Sequence, residues 1–372
     1  MKRWHLAVLI GTRPEAIKMA PVVRAIEAEH DAHCSLVLTG QHRDLVQPIL
    51  DLFGLKAVHD LQAMREQQSL AALTSRALAG LDRWLETAKP DVVLGQGDTV
   101  SVLAGSLASF FRHIPFAHVE AGLRTRNPLL PFPEEMNRRL TAQVARWHFA
   151  PTENARAALL REGHAATQIE VTGNTVIDAL LDVLAMPKPA DLPVDENRPY
   201  VLVTVHRREN HGEALIRIAN ALRQLATRYP SFDWIVPVHP NPAVRESLQR
   251  LLSGVSNVRL IAPVPYGSFC WLMKGARLIL SDSGGIQEEA PALGVPVLVL
   301  REETERPEAV AIGANRLVGT QTEDIVASTH AVLEDSALYA RMAAAGSPFG
   351  DGHAAVRIVA RLMGDLRAAA RQ

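Results

Sequence analysis

Short apolar runs alternate with amphipathic stretches along the whole chain. In the first half the runs are HLAVLI (5–10), CSLVLTG (34–40), DVVLGQG (91–97), PFAHVE (115–120), WHFAP (147–151) and IEVTG (169–173). Between them lie helical patterns such as PEAIKMAPVVRAIEAE (14–29) and SLAALTSRALAGLDRWLETA (69–88). This alternation predicts a parallel sheet flanked by helices. A second series, YVLVTVH (200–206), DWIVPVH (233–239), VRLIA (258–262), RLILSDS (277–283) and PVLVL (296–300), repeats the pattern. Between the two series, MPKPADLPVDENRP (186–199) is rich in proline and charge and lacks periodicity, which predicts a linker. The expected fold is α/β, with two Rossmann-like doubly wound domains over 1–186 and 187–372. Ligands of such folds bind outside the carboxyl ends of the strands, so the active site is expected in the cleft between the domains. An amphipathic helix is expected at about 353–370. The sequence does not fix its docking site, and the N-terminal domain is one candidate.

Composition narrows the function classes. The chain of 372 residues is long enough for two cores, and 48% hydrophobic with 21% charged residues is ordinary for a soluble globular protein. A net charge of -1 gives no global basic field, so neither nucleic acid nor an anionic membrane is an expected partner. Cys34 and Cys270 form no CxxC pair, which fits a reducing cytoplasm. MKRWHLAVLIG reads as a first strand rather than a signal peptide, and no apolar run approaches the ~20 residues of a membrane span. The 14 histidines include no HExxH or HxH pattern, so no metal is expected.

Candidate chemistry gathers at strand ends. GTRPEAIK (11–18) follows the first strand and sets Arg13 and Lys18 near the positive end of a helix, where cations raise affinity for an anion. GQGDT (95–99) superficially resembles a dinucleotide fingerprint, with Glu120 near the distance of a ribose acid. Val100 holds the third glycine position, however, and Asp98 would repel a pyrophosphate. Asp98 reads better as a general base than as a helix cap. Glu120 ends an apolar strand, where a carboxylate is costly unless paired. Its alternatives are a structural ion pair with Arg124 or Arg138 and an acid–base role tuned by burial. Glu134, Glu135, Arg138 and Arg139 stand at helical spacing, so some of their pairs are structural. HRREN (206–210) places cationic groups at a strand end, which suits a diphosphate. DSGGIQEEA (282–290) reads as a strand, a glycine turn and a helix start, with Glu288 and Glu289 expected in the first helical turn. Backbone N–H groups there suit a phosphate, and a carboxylate beside them suits a ligand that also carries hydroxyls.

GTRPEAIKMAP, GDT, HVEAGLRT, PFPEEMNR, TGNTVIDAL, HRREN, PVHPNP, DSGGIQEEAP and ERPEAV, in this order, resemble the non-hydrolysing UDP-N-acetylglucosamine 2-epimerases over nearly the whole chain. The resemblance implies a fold of GT-B type, a UDP-sugar substrate, no cofactor, a homodimer and a place in the supply of bacterial surface polysaccharide. It assigns the diphosphate to Ser283, Gly284 and Gly285, the ribose hydroxyls to Glu289 and the uracil to Phe269. Arg13, His206 and Arg306 match positions at the phosphates or the sugar pocket. Lys18, Asp98, Glu120, Glu134 and Arg138 match polar residues of the catalytic cleft. Regulation by a second UDP-GlcNAc is implied near Gln41, His42, Gln67 and Gln68. Three departures stand out: Gln96 replaces a histidine of many members, Gln67 replaces an arginine of some, and TRNPLLPFPEE differs from the commoner loop.

The chemistry of the sugar then selects a mechanism. The C2 hydrogen of an N-acetylhexosamine is not alpha to a carbonyl, so its inversion needs either oxidation or loss of the anomeric leaving group. Without a nicotinamide fingerprint but with a diphosphate site, elimination of UDP through 2-acetamidoglucal and re-addition is expected. The alternatives are a hydrolysing epimerase, an epimerase of a modified UDP-hexosamine, a GT-B glycosyltransferase and a non-catalytic UDP-sugar sensor.

Overall fold

Seven strands form the first sheet: β1 (Trp4–Ile10), β2 (Ala32–Leu38), β3 (His59–Asp60), β4 (Val92–Gln96), β5 (Phe116–Val119), β6 (Trp147–Ala150) and β7 (Ile169–Val171). All pair in parallel, in the order β3-β2-β1-β4-β5-β6-β7. The computed structural model describes residues 2–41, 43–65, 68–125, 127–238 and 242–371. Every residue of β4, β5 and β6 is buried, as expected of strands covered by helices on both faces. On one side of the sheet Leu9, Val93 and Phe116 pack with Leu81, Leu85 and Val102 from the covering helices. Each such fully buried side chain contributes roughly 1.5–3 kcal/mol.

The second sheet contains β8 (Tyr200–Thr204), β9 (Asp233–Pro237), β10 (Val258–Ile261), β11 (Leu278–Ser281), β12 (Val297–Val299) and β13 (Asn315–Leu317). Its order is β10-β9-β8-β11-β12-β13, again all parallel. Its core joins Val201, Val203, Trp234, Leu280 and Leu298 to Leu222 and Leu225 of the helix Glu213–Arg228.

In each sheet the chain winds outward in one direction, then returns to the middle and winds outward in the other. The reversal falls between β1 and β4 in the first sheet and between β8 and β11 in the second. Helices on either side of such a reversal diverge and leave room above the strand ends, which is where doubly wound folds bind ligands. Two edge strands escape the apolar-run reading: β3 is two residues long, and β13 reads NRL. Neither carries the repeated apolar positions of a central strand.

The chain divides into two compact units, Met1–Asp182 with Phe349–Gln372, and Val183–Pro348. The C-terminal helix Ala354–Ala369 therefore belongs to the first unit. There Asp365 accepts a hydrogen bond from the Trp147 indole at 2.7 Å. Arg367 pairs with Glu29 and Asp31, and Asp178 accepts from the Ala355 N–H at 2.8 Å. Among the described residues no helix is long and apolar enough to cross a membrane.

Candidate active site

In the first unit, polar groups converge above β1, β4 and β5. Glu120 follows β5 directly and adopts φ +59°, a left-handed conformation that non-glycine residues hold at a cost of order 1–3 kcal/mol. Its buried carboxylate accepts Lys18 Nζ on both oxygens, at 2.7 and 2.8 Å. Asn174 Nδ2 donates to Oε1 at 3.1 Å, and Gln96 Nε2 donates to Oε2. The partner is thus Lys18, not Arg124 or Arg138. Arg124 is committed to Glu162 by a two-pronged contact at 2.7 Å, and Arg138 is committed to Asp98.

Asp98 lies two residues beyond β4. Thr99, not Asp98, caps the helix Val100–Phe111, accepting from the Val102 N–H at 3.3 Å. The Asp98 carboxylate instead accepts Arg138 Nε at 2.7 Å, and its carbonyl accepts Asn137 Nδ2 at 2.8 Å. Asn137 and Arg138 come from the helix Glu134–Val144. There the wholly buried Glu135 takes Arg138 at 3.1 Å and Arg139 at 2.8 Å, so these are the structural pairs. Glu134 is half-buried and has no side-chain partner among the described residues, and the same holds for Arg13. The set therefore holds one clamped carboxylate, one paired carboxylate and one unpaired carboxylate.

Glu15 carries no signal in the sequence beyond that of a helix start. It is the third residue of the helix Arg13–Glu27 and is 2% exposed. One oxygen accepts the Gly11 and Thr12 N–H groups at 2.7 and 2.6 Å, and the other accepts the Thr99 hydroxyl at 2.5 Å. Burial raises its pKa to about 7 against those hydrogen bonds. Because the folded value lies above the ordinary value of 4.5, the folded state binds the proton more tightly. That stability is complete below pH 4.5 and is lost as pH rises through about 7. Relative to Glu15→Gln, the wild-type protein should lose ~3 kcal/mol of unfolding free energy across this window. Denaturant titrations at both ends check it; a constant difference between the two proteins would show that Glu15 does not titrate there.

His118 supports the same turn from within the sheet. Burial pushes its pKa down to about 4, so the neutral ring donates from Nε2 to the Gly97 carbonyl at 2.7 Å. The Gly97 N–H in turn donates to Val119 O at 3.0 Å, which ties the end of β4 to β5.

In the second unit the hub is Asp282, wholly buried just past β11. It accepts the N–H groups of His206 and Arg207 at 3.0 and 2.9 Å and Asn210 Nδ2 at 3.0 Å, and His206 Nδ1 lies 2.9 Å from it. Burial works to raise the Asp282 carboxyl, but these bonds prevail and hold it below the usual carboxylate range. An ionised acceptor fixes the proton of His206 on Nδ1 and leaves Nε2 available to a ligand. Nothing in the sequence alone assigns Asp282 a role. A carboxylate between a buried strand and a glycine turn was its only signal.

Ser283 holds the N-cap position of the helix Gly284–Ala292 without a side-chain cap bond. A side chain at Gly284 would place Cβ 3.3 Å from the Arg306 guanidinium carbon and 3.6 Å from Arg207 Nη2, so two cations flank the helix start. Glu288 and Glu289 are not in the first turn as expected; they are the fifth and sixth helix residues, both buried. Glu288 holds Arg306 Nε at 2.7 Å. Glu289 accepts the Tyr266 hydroxyl at 2.7 Å, and burial together with Glu289 keeps that phenol protonated well above its usual pKa. Phe269 is half-buried one turn along the same helix, Tyr266–Gly275.

Of the four regulatory candidates, His42 and Gln67 lie outside the described residues. Gln41 accepts the Ser101 hydroxyl at 2.9 Å and lines a cavity of about 500 Å³ with Gly40, Asp44, Gln62 and Arg65. Gln68 accepts the Arg65 N–H at 3.1 Å.

A family model described as UDP-N-acetylglucosamine 2-epimerase matches residues 24–363. The chain belongs to the UDP-N-acetylglucosamine 2-epimerase family. It is an enzyme of the isomerase class. The Escherichia coli K12 UDP-N-acetylglucosamine 2-epimerase is 48% identical over 364 residues, 95% of this chain and 97% of that protein. The crystal structure of UDP-GlcNAc 2-epimerase from Neisseria meningitidis bound to UDP-GlcNAc is 46% identical with a TM-score of 0.89, covering 97% of this chain and 100% of that one. The Methanocaldococcus jannaschii UDP-GlcNAc 2-epimerase in complex with UDP-GlcNAc and UDP is 36% identical with a TM-score of 0.82, covering 96% and 99%. Both α/β units are thus the Rossmann-like halves of a GT-B type fold.

Proposed function

We propose that this chain interconverts UDP-GlcNAc and UDP-ManNAc at C2 without net hydrolysis. The observation that carries the reading is the β4–β5 junction, where Asp98 and Glu120 stand on adjoining strand ends, each held by a cation. Two acids near one sugar carbon suit removal of a proton from one face and its delivery to the other.

In the forward half, a carboxylate takes the C2 proton, the C–H electrons form the C1–C2 double bond, and the C1–O electrons leave with UDP. The products are 2-acetamidoglucal and UDP. In the return half, UDP oxygen attacks C1 as a proton reaches C2 from the opposite face. Proton and UDP both return, so the cycle needs no redox cofactor. We assign the acid–base steps to Asp98, Glu120 and Glu134, with Lys18 and Arg138 holding two of them. Arg13, His206, Arg306 and the amides of Ser283–Gly285 would stabilise the departing diphosphate, a preorganised electrostatic contribution. Phe269 is assigned to the uracil and Glu289 to the ribose. Gln41, His42, Gln67 and Gln68 are assigned to a regulatory UDP-sugar contact.

The deciding experiment is NMR of the purified protein with UDP-GlcNAc in heavy water and no added cofactor. UDP-ManNAc carrying deuterium at C2 is the expected product. Protium retained at C2 would replace elimination by hydride transfer, and free ManNAc with UDP would replace the epimerase by a hydrolysing one.

The reading also takes the protein as a cytoplasmic homodimer. Support comes from exposed apolar side chains at the end of the helix Val100–Phe111, Phe110 and Phe111, and in the loop after β5, Leu129, Leu130 and Phe132. Sedimentation should give twice the 40.6 kDa chain mass, and a monomer at micromolar concentration would remove the dimer.

A further inference from the structure

Glu15 does more than a helix cap needs. A capping glutamate closes back on the amides before its helix, and Glu15 does this with one oxygen, taking Gly11 and Thr12. Glutamine serves that role equally well and spares the cost of burying a charge. The second oxygen reaches a residue 84 positions away, the Thr99 hydroxyl, at 2.5 Å. Thr99 follows Asp98 and caps the next helix through the Val102 N–H. Its hydroxyl can donate to Glu15 and accept from Val102 at once only if Glu15 is a pure acceptor. An amide in place of the carboxylate would accept the two backbone N–H groups with its oxygen and present N–H donors to Thr99. The hydroxyl would then face two donors, and its own hydrogen would lose its acceptor.

The far side of the same turn is fixed independently. Asn137 holds the Asp98 carbonyl and Arg138 holds the Asp98 carboxylate, both from the helix after β5. Asp98 is therefore pinned between the end of β1, through Glu15 and Thr99, and the helix Glu134–Val144. We infer that Glu15 is a positioning residue for the acid–base carboxylate Asp98, acting through the Thr99 hydroxyl. This rests on the epimerase reading given above.

Three variants test it: Glu15→Gln, Thr99→Val and the two combined. A misplaced acid–base group costs on the order of 10- to 100-fold in rate, so at pH 8.5, where Glu15 is ionised, kcat should fall by that factor with KM and UDP affinity unchanged. The double variant should lose no more than the worse single one, because both remove the same bond. A second readout does not depend on turnover. In carboxyl-labelled protein at pH 8.5, above the value of about 7 for Glu15, the Asp98 carbon resonance should move in both single variants. That of Glu120 should stay. An unchanged kcat, an equal loss in KM, multiplying losses in the double variant or an unmoved Asp98 resonance would each overturn the inference. Should the wild-type protein not epimerise UDP-GlcNAc at all, the functional reading falls, and the Asp98 resonance alone decides the positioning. If Glu15→Gln does not fold, Thr99→Val carries the same tests.

Discussion

Replacing Asp98, Glu120 or Glu134 by its amide should lower turnover of UDP-GlcNAc by ~10²-fold or more while UDP still binds. The amide keeps the shape of the carboxyl group but cannot take up or release a proton. The three surroundings make the variants unequal in stability, which separates chemistry from packing. Glu134 has no side-chain partner among the described residues, so Glu134→Gln should unfold close to the wild-type temperature. Asp98→Asn weakens one contact of Arg138, which keeps its bond to Glu135 at 3.1 Å. Glu120→Gln leaves the Lys18 ammonium, 13% exposed, without its anion. Breaking a buried pair in this way costs ~3–5 kcal/mol, so this variant should be the least stable. Loss of kcat in Glu134→Gln at unchanged stability and UDP affinity would be the cleanest sign of a chemical role. Undiminished turnover in all three would sink the assignment of acid–base work to this cluster.

The sheets were legible because central strands of parallel sheets are apolar on both faces, and such runs stand out as blocks. The reversal points were legible only in part. The sequence shows which segments end in polar motifs, but the order β2-β1-β4 and β9-β8-β11 is set by packing between segments far apart in the chain. Asp98 and Glu120 stand out as carboxylates at the ends of apolar strands, Arg13 and Lys18 as cations near a helix start that favour an anion. Their partners do not. Lys18 reaches Glu120 across 102 positions, and no local spacing distinguishes it from Arg124. Glu15, Asn174 and Asp282 are not legible in the sequence, because each looks like an ordinary turn or cap residue. Their part lies in where the second oxygen or the amide nitrogen points, which only the fold decides. Gln96, noted as a departure from histidine, proves to be a donor to Glu120.

Glu289→Ala should weaken UDP binding by ~1.5–3 kcal/mol, the scale of a lost hydrogen bond to a charged group. The carboxylate lies one turn into a helix whose first residues present free N–H groups beside Arg306 and Arg207. A ligand whose diphosphate takes those N–H groups could bring vicinal hydroxyls to a carboxylate, which accepts from both at once. The structure adds a complication that the sequence could not show. Glu289 already accepts from Tyr266, and Tyr266 shares its helix with Phe269, the residue assigned to uracil. Removing the carboxylate therefore strands a buried phenol and can shift Phe269, lowering affinity without any direct contact to the ribose. Tyr266→Phe separates the two routes, since it deletes the internal bond and keeps the carboxylate. If Glu289 acts directly, calorimetry should show Tyr266→Phe binding UDP within about threefold of wild type, below the ~10-fold of 1.4 kcal/mol, and Glu289→Ala well beyond it. Binding of 2′,3′-dideoxy-UDP supplies the second arm, because the wild-type protein should lose affinity for it while Glu289→Ala should not discriminate. Equal losses in Tyr266→Phe and Glu289→Ala, with discrimination kept in both, would make Glu289 a support for the uracil side and take it out of the ribose site.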